Sequence, residues 1–341
     1  MIPTYMKILK YLEDLIITGR LSAGDKLPSE NELAKMFSTT RVTVRKALDE
    51  LEKNGVISKV HGVGTFVTEI NLIARKRVGV LVNNRQIMYG IVKFLSFVGV
   101  RIIASDFSSF GSEEAILKEI VSKNIDGLIM EPTQDSIKNL VLNDLIEKGF
   151  PVVFVDRKVP VHSNVPAVLS DNYLGGKLLG EHMYQKHHIK KSIFVTSESM
   201  TVSSVSERYK GISSGLKKKP EIVYIEKIDG DFSIIPNIVM EKNVDCIFFC
   251  NDVLAVRGLY YLIKAGIKIP DEVKIAGFDN EFVSRMTEPK LTTVKQSLSE
   301  IGEVAASVMI SKLKGESIDS DIKIKTELVI RDSCGCIGDK K

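Results

Sequence analysis

A chain of 341 residues exceeds what one ordinary compact core holds, so two or three folding units are expected. A hydrophobic content of 44%, ten prolines and no low-complexity tract exclude extended disorder. No apolar run approaches the roughly 20 residues that span a bilayer, and residues 1–10 are too polar for a signal-peptide core, so a cytoplasmic protein with no membrane partner is expected.

Charge is unevenly divided. Residues 1–77 carry 13 Lys and Arg against 9 Asp and Glu, whereas the remainder carries 34 of each. The whole excess of +4 therefore falls in the first fifth of the chain, as suits a segment that meets phosphate.

Taken in order, Ile8, Leu9, Leu12, Leu15 and Ile16 recur at helical spacing and predict a first helix ended by Gly19. Ser29, with Glu32 three residues on, reads as a capping box opening a short second helix with Leu33, Ala34 and Phe37 inward. Thr39 or Thr40 can cap a third helix running to about Lys53, with Val44, Ala47, Leu48 and Leu51 buried. After Asn54-Gly55, residues 56–60 and 65–67 read as strands joined by His61-Gly62-Val63-Gly64, with glycine where positive φ is needed. Three helices and a hairpin make the winged-helix plan.

The third helix is the reader of such a head. Arg41 and Arg45 share a face, and no acid lies between Ser38 and Leu48. Arginine pairs with guanine O6 and N7 through two hydrogen bonds in the major groove. Thr43 and Lys46 would reach phosphates or base edges, and His61 with the backbone of Gly62 would approach the minor groove or its phosphates.

After a polar, basic connector the pattern changes. Strand signals at 78–83, 101–105, 127–130, 151–156, 192–196, 222–225, 246–249 and 274–277 alternate with helical signals such as 113–123, 136–148, 172–186 and 252–265. Repeated βα units imply parallel sheets covered on both faces. The expected architecture is α/β: a winged helix-turn-helix domain (1–67), a linker (68–77), a two-lobed, doubly wound sensor (78–335) and a tail (336–341). Lobe 1 would take about 78–156 and 280–296, and lobe 2 about 157–279 and 297–335.

Ligands of doubly wound sheets bind beyond the carboxyl ends of the strands. That rule places Asp106, Glu131, Asp156, Asn251 and Asp279 around an interlobe cleft. Asp252 and the pair Asp171-Asn172 read instead as helix caps. No G-x-G-x-x-G follows a strand and no Walker loop is present, so neither enzyme activity nor a cofactor is expected. No metal is expected either. Cys334-Gly-Cys336 is not a normal zinc half-site, and His182, His187 and His188 read as surface because i to i+5 spacing does not share a helix face.

Two resemblances add to this reading. Residues 26–34 (KLPSENELA), 40–48 (TRVTVRKAL), Gly55 and 61–67 (HGVGTFV) resemble the GntR family of bacterial repressors, except that many members carry Arg where Asn31 stands. Residues 151–157 (PVVFVDR), 170–172 (SDN), 206–211 (SERYKG), 249–252 (FCND), 269–273 (IPDEV), 277–279 (GFD) and 289–294 (PKLTTV) follow the order of LacI/GalR-type regulators, whose effector domains are similar to periplasmic sugar-binding proteins of type I. This second resemblance implies sugar contact by Asp156, Arg208, Asn251 and Asp279, a cleft aromatic at Phe232 and a further contact at Gln296. The pairing of head and sensor resembles arabinose-responsive repressors. It implies a homodimeric repressor that binds a pseudo-palindromic operator and is released by a small sugar, with L-arabinose first in line. Another sugar, a purine effector or an activator role are the alternatives.

Overall fold

The computed structural model describes all residues except 1, 2, 18, 19, 54, 61, 69–75, 106–111, 228, 229 and 337–341. The chain divides into two compact units: residues 1–155, 164–166 and 302–320, and residues 156–163, 167–301 and 321–341.

In the first unit the head forms as its apolar spacing demands. α1 (Thr4–Ile17) buries Ile8 and Leu12, and Tyr11 meets Phe37 edge-on at 5.4 Å. α2 (Glu30–Met36) opens on the expected capping box: Ser29 Oγ accepts the Glu32 amide, and the Glu32 carboxylate accepts the Ser29 amide. α3 (Arg41–Lys53) begins at Thr40, whose hydroxyl accepts the Thr43 amide, and buries Val44, Ala47, Leu48 and Leu51. β1 (Ile57–Val60) and β2 (Gly64–Val67) pair antiparallel as the wing. The backbone of residues 24–27 runs along β2, with Leu27 donating to Thr65 O and Gly24 to Val67 O, both at 2.8 Å.

The same unit carries a parallel sheet in the order β4-β3-β5-β6, from β3 (Arg77–Leu81), β4 (Arg101–Ala104), β5 (Gly127–Met130) and β6 (Val152–Val155). β5 and β6 are buried along their whole length, as an all-apolar strand requires. Between them run α4 (Arg85–Phe97), α5 (Glu113–Ser122) and α6 (Leu140–Glu147). The single helix expected over 136–148 is broken in two. Asn139 takes an extended backbone and caps α6 through the amides of Val141 and Leu142, leaving a 3-10 turn at Asp135–Lys138.

The second unit has its own parallel sheet, β11-β10-β8-β9, built from β8 (Ser192–Thr196), β9 (Glu221–Tyr224), β10 (Cys246–Phe249) and β11 (Lys274–Ala276). The helices are α7 (Asn172–His187), α8 (Ser203–Leu216), α9 (Ile234–Lys242) and α10 (Asp252–Lys264). β7 (Ala167–Ser170) pairs in parallel with β13 (Ile322–Ile324), and β12 (Thr293–Lys295) pairs antiparallel with β14 (Glu327–Val329). In both sheets the strand order reverses beside the first strand, which makes the carboxyl ends there the natural ligand position.

Apart from residues 156 and 164–166, the boundaries differ from the expected lobes at two long segments. Residues 280–296 lie in the second unit, because the Gly277 amide bonds Thr292 O and the Asp279 amide bonds Val294 O. Residues 302–320 lie in the first, where α11 (Leu298–Leu313) puts Gly302 against the Ile87 carbonyl of α4 so closely that a Cβ would stand 2.1 Å from it.

α7 and α8 cross at backbone contact. A Cβ on Gly176 would stand 2.4 Å from Arg208 O, and one on Gly211 would stand 2.2 Å from Tyr173 O. Gly180 and Gly215 repeat the arrangement one turn on. This approach brings the first turn of α7 to Arg208, on the second turn of α8.

The tail corrects another expectation. His182 and His187 are not solvated surface, and the two tail thiols are not isolated from other ligands. α7 ends at His187, with a left-handed cap at His188, and a 3-10 turn at Asp332–Cys334 followed by Gly335 at φ 88° carries Cys334 to the ring of His182 and Cys336 to the rings of both His182 and His187. The two imidazoles reach from successive turns of a helix end, where no further turn separates them.

Candidate functional site

The reading face of the head is organised by a residue outside the third helix. Glu30, the first residue of α2, accepts from Arg45 Nε at 3.0 Å and from Arg41 Nη2 at 3.2 Å. Both guanidinium groups remain more than half exposed. Arg45, with Arg41, holds the Glu30 carboxyl below its ordinary range. Sequence spacing put the two arginines on one face but missed the acid between them, because Glu30 precedes Arg45 by 15 residues. Thr43 Oγ1 lies 3.1 Å from Thr40 Oγ1 at the start of α3. Lys46 turns to α1, its ammonium 4.2 Å over the ring of Tyr5. Gly62 has φ 75° and open space where a Cβ would be, so the wing tip can approach another surface closely. His61 lies outside the described residues.

In the second unit the centre is Arg208, which is 7% exposed. Its Nε donates to Asn172 Oδ1 at 2.8 Å, Nη1 to the Cys250 carbonyl at 2.8 Å, and Nη2 pairs with Asp279 Oδ1 at 3.2 Å. The guanidinium carbon sits 4.0 Å over the ring of Phe278. Gln296 Nε2 donates to the same Asp279 oxygen at 2.6 Å. Burial pushes Asp279 up to about 7, against the pull of Arg208. Asp156 and Asp279 both have left-handed backbones, φ 63° and 112°, a conformation that costs roughly 1–3 kcal/mol and collects at functional sites. Arg157, next to Asp156, pairs with Glu198 at 2.7 Å.

Two buried oxygens of this cluster, Gln296 Oε1 and Ser170 Oγ, have no hydrogen-bond partner among the described residues. Orphaned buried polar atoms are rare, and here both border groups that already converge on Arg208. The set offers a carboxylate, an amide oxygen and a hydroxyl to a molecule rich in hydroxyl groups.

Several expected contacts stand elsewhere. Asn251 is the N-cap of α10: its Oδ1 accepts the Leu254 amide, which leaves the amide nitrogen as its remaining polar group. Asp252, read as that cap, is instead buried, accepting from Thr293 Oγ1 at 2.6 Å and from the Glu281 amide at 2.9 Å. The two neighbours exchange roles because the helix starts one residue earlier than the capping pattern suggests. Phe232 is fully enclosed in the core, stacked on Tyr261 at 6.0 Å with Arg257 over its ring, so it presents no open face. Glu131, in the first unit, accepts the amides of Asn83 and Asn84 after β3. Asp106 lies outside the described residues.

Asn172, Phe278 and Ser170 were missed as site residues. Asp171 is the N-cap of α7, as expected, accepting the Leu174 amide, whereas Asn172 points to Arg208. The available signal was the glycine spacing of α7 and α8, which announces a close crossing.

A winged-helix head and two doubly wound parallel sheets, one with a buried Arg–Asp–Gln cluster at its carboxyl edge, define a ligand-binding sensor carrying a nucleic-acid reader. The chain belongs to the periplasmic binding protein domain family, which matches residues 100–317. Residues 4–67 match the family of bacterial regulatory proteins of gntR type. The arabinose metabolism transcriptional repressor of Geobacillus stearothermophilus is 28% identical over 362 residues, spanning 97% of this chain and 98% of the relative. The HTH-type transcriptional repressor PurR of Histophilus somni (strain 129Pt) is 28% identical over 229 residues, 64% of this chain and 67% of the relative. Among solved structures, a LacI family transcriptional regulator from Enterococcus faecalis V583 with bound ribose is similar with a TM-score of 0.65 at 26% identity, covering 76% of this chain and 98% of that one.

Proposed function

We propose that this chain is a cytoplasmic, homodimeric transcriptional repressor that holds a pseudo-palindromic operator until a small sugar releases it, with L-arabinose as the first candidate. The observation that carries the effector reading is the buried Arg208–Asp279–Gln296 cluster beside the unsatisfied oxygens Gln296 Oε1 and Ser170 Oγ. Vicinal sugar hydroxyls donate to such acceptors and accept from the guanidinium. The choice of L-arabinose is supported by the Geobacillus relative, which aligns along almost its whole length. On the DNA side, Arg41 and Arg45, pre-set by Glu30, would read guanines. A ligand that binds one conformation of the sensor more tightly than another shifts that equilibrium and, reciprocally, the affinity for DNA.

A purine is the second reading, favoured by the similarity to PurR. Against it, Phe232 and Phe278 are both enclosed and offer no open ring to a flat base. Titration calorimetry of the full chain against L-arabinose, D-ribose, D-xylose, hypoxanthine and guanine decides the class. Saturable binding of a pentose, abolished in Asp279→Asn, is expected; binding of a nucleobase alone would overturn the sugar reading.

A further inference from the structure

We propose that His182, His187, Cys334 and Cys336 form a structural zinc site that fastens the C-terminal turn to the end of α7. Cys334 Sγ lies 3.5 Å from His182 Nε2, and Cys336 Sγ lies 3.8 Å from His182 Nε2 and 3.4 Å from His187 Nε2. All four ligand atoms fall within 4.8 Å of one another. Zinc–sulfur bonds of about 2.3 Å and zinc–nitrogen bonds of about 2.0–2.1 Å at tetrahedral angles require sulfur–nitrogen edges of about 3.5 Å. Three of the four sulfur–nitrogen edges, at 3.5, 3.8 and 3.4 Å, already lie close to this length.

The surrounding chain supports the same assignment. His182 and His187 are separated by four residues, a spacing found in histidine pairs of zinc domains. Their rings stand 5.2 Å apart and 73° from coplanar, so the two nitrogens approach one point from different directions. Gly335, at φ 88°, turns the chain between the two cysteines so that both sulfurs face the helix end. All four cysteines of the chain are free thiols. Once two thiols have given up their protons to a divalent ion, two thiolates and two imidazoles leave the site without net charge. Two soft sulfurs and two imidazoles select zinc over hard cations, and four protein ligands leave no open position, the mark of a structural site. A groove of about 560 Å³ bordered by Ile269, Pro270, Gly335 and Cys336 provides access from solvent.

The test uses the full chain purified under reducing conditions, with metal content measured by mass spectrometry. One zinc per chain is expected. After chelation, added Co2+ should give a thiolate-to-cobalt charge-transfer band and the intense visible bands of a tetrahedral site. Cys336→Ser and His187→Gln, both at partly exposed ligands, should weaken zinc binding by more than about ten-fold, the loss that even outer partners of metal ligands produce. Circular dichroism checks that each variant folds. Folded, reduced protein without stoichiometric zinc or tetrahedral cobalt bands would overturn the proposal. So would a Cys334–Cys336 disulfide surviving in reductant, or unchanged affinity in both folded variants.

Discussion

Arg208 and Asp279 form an ion pair of 3.2 Å in which the side chains are only 8% and 16% exposed. A charge in such a place is tolerable only while its partners remain, so removing one member leaves the other uncompensated. Asp279→Ala should destabilise the chain by about 3–5 kcal/mol in urea unfolding and abolish effector binding. The double variant Arg208→Met/Asp279→Ala should be less destabilised than the single one, although it too binds no effector. Additive losses would contradict the pair's role.

Acid stability should carry the mark of Asp252. Burial pushes its carboxyl up to about 7. In the unfolded chain it titrates at about 4, so its contribution is complete below that pH and is lost as pH rises through about 7. Melting temperature should therefore fall between about pH 4 and pH 7. Asp252→Asn keeps both hydrogen bonds, accepting from the Glu281 amide and donating to Thr293 Oγ1, and should flatten the slope. Asp279 is raised in the same direction, so a remainder of the slope should persist. An unchanged slope in the variant would show that Asp252 is not the titrating group.

On the reading helix, Arg41→Ala and Arg45→Ala should each weaken specific operator binding by about 1–3 kcal/mol. Glu30→Gln should behave differently. It removes a negative charge from the face and loosens both guanidinium groups, so affinity for random DNA should rise while the ratio of specific to random binding falls. Anisotropy titrations against both DNAs measure the two quantities. A ratio that stays constant would mean that Glu30 does not orient the arginines.

Gly211 tests the α7–α8 crossing. A methyl there meets Tyr173 O at 2.2 Å, so Gly211→Ala should force the helices apart and cost about 1–3 kcal/mol of stability. Effector affinity should drop as well, because Asn172 is withdrawn from Arg208, although both site residues are retained. Full affinity in a folded variant would remove the crossing from the account.

The head was legible almost residue by residue, because its signals are local: the capping box at Ser29 and Glu32, the apolar spacing of α3, and glycine at the wing. Strands β3 to β6 and β8 to β11 were legible for the same reason, as short and mostly apolar runs, whereas β7, β12, β13 and β14 were not anticipated. What escaped depends on distant parts of the chain meeting. Glu30 reaches Arg45 across the turn between helices, Asn172 reaches Arg208 across a glycine crossing, and Cys334 reaches His182 across 152 residues. The exchange of roles between Asn251 and Asp252 is a one-residue error in a helix start, small in sequence but enough to move a carboxylate from surface to core.

The central claim is that a sugar held by the Arg208–Asp279–Gln296 cluster controls the head. It is tested most directly by titrating the full chain onto an operator fragment that the protein itself selects from genomic DNA, with and without saturating L-arabinose. The account predicts that L-arabinose weakens operator affinity in the native chain and has no effect in Asp279→Asn. Operator affinity unchanged by every sugar that the chain binds would contradict it.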